Sequence, residues 1–180
     1  MLYLQPAKRE KGTFFDRYLR YDICRDTVVI GTLAFDPRRL QAAITVAGTD
    51  YTVARQVERP KDRVYHVLLR LLTGRPKPPA NPLLLSTATG DRLASAEQRW
   101  SRFSISHEGR QFIFRRPSLF SRLYHLYPQD KEVALGTIGQ DKFFTRQLQM
   151  ALPESFAPVF QVFLVVLLLD VTMQSQRAGD

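Results

Sequence analysis

From Phe156 to Leu169 the chain reads Phe-Ala-Pro-Val-Phe-Gln-Val-Phe-Leu-Val-Val-Leu-Leu-Leu, and beyond Pro158 only Gln161 is polar. Ser155 is placed to cap a helix here, and Pro158 falls in its first turn, where a missing N–H costs nothing. Such a helix has no polar face and must be buried on every side. Its ten large apolar side chains between Val159 and Leu169 represent about 15–30 kcal/mol of burial, an upper estimate. Lipid is one place to bury them, but fourteen residues rise only about 21 Å against a hydrocarbon core of about 30 Å. Asp170 ends the apolar run, and no basic cluster follows it directly. A transmembrane span is therefore disfavoured. The expectation is a central helix over about 156–173, enclosed by the rest of the protein.

The rest of the protein reads as short strands. Ile44-Thr45-Val46 alternates in polarity, turns through Ala47-Gly48-Thr49-Asp50 and returns as Tyr51-Thr52-Val53. Leu83-Leu84-Leu85 turns near Thr89-Gly90-Asp91 and returns through Leu93, and Phe103-Ser104-Ile105-Ser106 turns at Glu108-Gly109 and returns as Phe112-Ile113-Phe114. Period-two apolar positions around a glycine that accepts positive φ are hairpin signals, and several in series argue for an antiparallel sandwich or barrel. A closed barrel threaded by the C-terminal helix satisfies both requirements: the helix is covered and the sheet has a core. Two segments depart from the β pattern. Val64, Val67, Leu68 and Leu71, preceded by Asp62 and followed by Gly74, have the spacing of a short amphipathic helix. Residues 74–82, with Pro76, Pro78, Pro79 and Pro82, read as an extended linker or loop between two halves of a single domain covering 1–180.

A pattern recurs across the chain. Tyr21-Asp22-Ile23-Cys24 is followed by a turn and by Ile30-Gly31-Thr32-Leu33; Tyr124-His125-Leu126-Tyr127 is followed by a turn and by Leu135-Gly136-Thr137-Ile138. Glycine inside a strand marks a bulge or a close backbone approach. Either the stretches are copies of one unit or two ordinary hairpins coincide.

The order of hairpins, the paired Gly-Thr motifs and the apolar terminal helix together resemble the tubby C-terminal-like superfamily, which includes tubby, phospholipid scramblase and LURP-one-related domains. The resemblance runs from about Tyr18 to Met173. It implies a mainly β fold, a closed antiparallel barrel of about twelve strands enclosing the C-terminal helix, and a lipid- or membrane-associated module rather than an enzyme. No phosphoinositide-binding residue of the family matches a position here. Of the acidic calcium-binding stretch of scramblases, the segment 139–155 offers only Asp141 and Glu154.

Motifs for chemistry are missing from the sequence. His66, His107 and His125 are the only histidines, and none has a partner at metal-ligand spacing, so no metal and no cofactor is expected. There is no nucleophile elbow, P-loop or dinucleotide fingerprint. Asp130 and Glu132 flank a turn, where acids are usual. A catalytic group assembled only in three dimensions would leave no such mark.

Charge is more informative. Lys and Arg number 26 against 17 Asp and Glu, a net +9, which favours an anionic partner. Between Arg92 and Arg122 lie seven arginines and two acids, Glu97 and Glu108. Arginine presents a planar fork suited to phosphate and carboxylate. Arg99, Arg102, Arg110, Arg115 and Arg116 are the candidate anion-binding residues, with Trp100 beside them as an interfacial anchor or stacking platform. A merely solvated barrel exterior is the competing explanation. Because strand neighbours alternate faces, Arg115 and Arg116 share a site only if a bulge intervenes.

Cys24 is the lone cysteine and points to a reducing compartment. Residues 1–6 are soon followed by Lys8, Arg9 and Glu10 and do not make a secretory signal, and no lipidation motif is present. The expected protein is cytoplasmic, peripheral to a membrane surface where it meets lipid, and non-catalytic. Its expected ligand is an anionic phospholipid headgroup or another acidic group. The alternative is a nucleic-acid-binding β domain, which would carry exposed aromatics among the basic residues of one strand face; a hydrolase with a dispersed site is the third class.

Overall fold

Two-residue turns set the frame. In the computed structural model, Ala47-Gly48 and Glu108-Gly109 have φ of 50° and 77°, and of 50° and 72°. Positive φ at both central residues is the type I′ geometry whose twist matches paired strands. The structure describes residues 1–7, 19–56, 81–99, 102–118, 121–140 and 147–177. The helix read at 64–71, most of the proline-rich segment, His66, Trp100 and Asp141 lie outside them.

Twelve antiparallel strands follow one another: β1 (Leu2–Pro6), β2 (Leu19–Arg25), β3 (Val28–Asp36), β4 (Gln41–Val46), β5 (Thr49–Arg55), β6 (Leu83–Thr87), β7 (Arg92–Arg99), β8 (Arg102–His107), β9 (Arg110–Arg115), β10 (Leu123–Pro128), β11 (Gly136–Gln140) and β12 (Leu148–Ala151). Each pairs with its sequence neighbours, and β1 pairs with both β2 and β12, through Leu2↔Met150 and Leu4↔Leu148, so the sheet closes into a barrel without edges. Alternation sends Phe103, Ile105 and His107 of β8, Phe112 and Phe114 of β9 and Tyr124 and Leu126 of β10 inward, where all are buried.

The lumen is filled by helix α1 (Pro158–Arg177), in which every residue from Val159 to Asp170 is buried. It packs against β4 and β5 on one side and β11 on another, so both halves of the chain cover it. Among the described residues no helix is long and apolar enough to cross a membrane.

Two details of the helix differ from expectation. Ser155 is not its cap: it sits in a turn closed by Phe156 N–H to Pro153 O, and Ala157 O accepts the first helical bond, from Gln161 N–H. The helix runs from Pro158 to Arg177 rather than over 156–173, and Asp170 closes its run of buried positions. Asp170 is fully buried, and its carboxylate accepts from Arg55 Nη2 at 2.8 Å and from Gln174 Nε2 at 2.9 Å. Pairing lets the run of buried positions include a charge at its end, beyond which Val171 to Gln174 are only partly buried. Gln161, the polar exception in the run, donates to Phe156 O at 2.9 Å.

Candidate functional site

The β8–β9 turn at Glu108-Gly109 pairs His107 with Arg110, and counting outward from it brings Arg102 opposite Arg115. At the far end of β8, Arg102 is also opposite Arg99 of β7. Partners across an antiparallel ladder share a face. The neighbours Phe103 and Phe114 point inward, so Arg99, Arg102 and Arg115 form a row on the outer face, all exposed. Like charges directly opposite one another destabilise a sheet. Little in the row relieves this. Glu97 lies 4.0 Å from Arg99, both exposed, a pair of small worth. The Arg115 guanidinium stacks over the Tyr127 ring, 5.0 Å from its centroid.

Not every candidate joins the row. Arg116 has the opposite parity and lies over the buried ring of Tyr124, 4.9 Å from its centroid, with its Nε buried and without a hydrogen bond. Burial raises the Tyr124 phenol pKa, and the Arg116 charge partly offsets that rise. Arg110 is at the other end of β9, at the opposite mouth of the barrel. Trp100 falls outside the described residues.

Among the described residues, the ends of the barrel differ in charge. Where α1 finishes, the described residues include Arg20, Arg38, Arg39, Arg55, Arg116 and Arg122 besides the row, against Asp36, Glu97 and Asp170. Where α1 begins, Asp26, Asp50, Asp91, Glu108, Asp130, Glu132 and Glu154 outnumber Arg25, Arg92, Arg110 and Lys131. Several of these acids are held by turns: Asp26 pairs with the Met1 amine at 2.9 Å, and Asp91 accepts from Thr89 at 2.7 Å.

The two histidines among the described residues are structural or superficial. The His107 ring is buried, stacked on Phe160 with centroids 3.9 Å apart, and its Nδ1 meets Leu93 O at 3.0 Å. His125 is on the outer face, opposite Arg115 and stacked with Tyr127 at 6.0 Å. Among the described residues no group of three or more His, Cys, Asp or Glu is gathered to hold a metal. Cys24 is buried in β2, and burial pushes its thiol pKa up.

Sequence reasoning missed a pocket of about 750 Å³ at the acidic end, walled by Phe112, Pro128, Leu135, Pro153 and Phe156, with Arg110 and Asp130 at its rim. Only the proline and leucine flanking the β10–β11 loop hinted at it; its walls come from three separate parts of the chain. No known family, curated protein or solved structure matches this chain.

Proposed function

We propose that the protein is a non-catalytic binding module for anionic headgroups at a phospholipid surface, working at the cytoplasmic side of a membrane. The observation that carries this reading is the row Arg99–Arg102–Arg115, set in register on the outer face at the basic end of the barrel. Three opposed guanidinium groups repel one another until an anion lies among them, so phosphate binding relieves a cost already built into the sheet. Arg38, Arg39 and Arg122 extend the same sign of charge around that end. A closed barrel around a terminal helix is also the architecture implied by the resemblance to tubby-like and scramblase-like domains. Sedimentation with phosphatidylcholine vesicles, with and without phosphatidylserine, tests the reading. Each basic residue near an acidic surface contributes about 1 kcal/mol, so Arg99, Arg102 and Arg115 replaced together by alanine should weaken binding about a hundredfold. Binding that ignores phosphatidylserine, or survives the triple replacement, would reject it.

A second reading, nucleic-acid binding, has one observation in its favour. Arg115, His125 and Tyr127 share the outer face, with the guanidinium over the tyrosine and the two rings stacked. Bases stack on such a surface without regard to sequence. Fluorescence anisotropy with a single-stranded oligonucleotide distinguishes the two: Tyr127→Ala should weaken oligonucleotide binding and leave vesicle binding unchanged.

A further inference from the structure

The acidic end of the barrel holds a site of another kind. There the start of β9, the β10–β11 loop and the segment entering α1 line the open pocket of about 750 Å³. Small-molecule sites occupy about 300–1,000 Å³, far above the volume of a bound water. The pocket's aromatic wall is rigidly backed. Phe112 and Phe156 meet edge to face, with centroids 5.7 Å apart at 73°. Both rings contact Phe160, which is itself stacked on His107 in the core.

Among the described residues that line the pocket, Arg110 is the one cation. Arg110 is exposed, and among the described residues no carboxylate lies within ion-pair distance of it. Glu108, its neighbour across the turn, lies 3.7 Å from the His107 ring instead. Asp130 is also at the rim, where it disfavours a second acidic group on anything bound.

We infer that this pocket binds a small amphipathic monoanion. An apolar or aromatic body lies against the Phe112–Phe156 wall, and a single carboxylate or sulfonate is held by the Arg110 fork. The site is independent of the arginine row, which is at the opposite mouth, so either can fail without the other.

Anilinonaphthalene sulfonate has this chemistry and fluoresces when bound; phenylnaphthylamine is its uncharged counterpart. The sulfonate is expected to titrate to one saturable site in protein that unfolds cooperatively and keeps its near-ultraviolet dichroism, which distinguishes pocket binding from adsorption to a loosened core. Arg110→Ala should weaken the sulfonate about tenfold or more and leave the uncharged dye unchanged, with Arg110→Lys in between. Phe156→Ala should weaken both dyes. Leu135→Gln, at a wall position 36% exposed, serves the same purpose if the Phe156 variant loses its cooperative transition. Replacing Arg99, Arg102 and Arg115 by alanine should change neither dye. Sulfonate affinity unaltered in Arg110→Ala, or lost in the triple variant, would overturn the inference.

Discussion

A methyl group added to Gly31 would meet the backbone carbonyl of Thr45, and one added to Gly136 that of Ala151. In each case the glycine precedes a threonine, Thr32 or Thr137, whose cross-strand partner supplies the oxygen. One steric constraint, met at two places, thus accounts for the glycine of the pattern legible in the sequence. Gly31→Ala or Gly136→Ala must push a strand outward and is expected to cost about 1–3 kcal/mol, read as a lower urea midpoint at unchanged slope. The arginine row was partly legible too, because a two-residue turn at Glu108-Gly109 dictates that Arg102 faces Arg115. The role of Asp170 was not legible, since its partner Arg55 is 115 residues away. Arg55→Met leaves a buried carboxylate with only Gln174 for company. The expected loss is about 2–4 kcal/mol, below the usual figure for fully buried pairs because Arg55 keeps 23% of its side-chain exposure. Adding Asp170→Leu to that variant should recover most of the midpoint, since an apolar pair of similar volume suits the lumen.

Helix α1 was the most legible element, for a physical reason: a segment without a polar face has few places to go. Its limits were less legible: the helix spans Pro158–Arg177 where 156–173 was expected, and the distant partner that lets Asp170 be buried leaves no mark near it in the sequence. The shortest strand, β12, was hidden: four residues carry little periodicity, and its identity depends on pairing with β11 and closure with β1. The helix fills the lumen with ten of the 33 buried core residues among those described, and a domain is stable by only about 5–15 kcal/mol. Removing the chain from Ser155 onward should therefore abolish the cooperative thermal transition. Leu167→Asp should do nearly as much, since Leu167 is fully buried and the new carboxylate would have no partner. A folded, more soluble truncated protein would contradict a lumenal helix.

At the scale of the molecule, the proposed surface binding makes the place of charge matter more than its total. The barrel ends are separated by strands of about six residues, roughly 20 Å, more than twice the screening length of about 8 Å at physiological salt. Glu132→Lys with Glu154→Lys, at the acidic end, should therefore leave vesicle affinity nearly unchanged, while raising salt should weaken the parent protein steeply. An equal gain from those replacements would show that total charge, and not the arginine row, draws the protein to the surface. The closure of the sheet through Leu2 and Met150 has a further consequence, in time rather than space. As a chain of this kind emerges from the ribosome, eleven strands exist before the twelfth can seal them, and the helix that fills the lumen is made after that. Until then the nascent sheet has two bare edges and an unfilled interior, features that invite pairing with other chains. Slowed or interrupted synthesis should therefore yield edge-to-edge aggregates rather than a loose monomer.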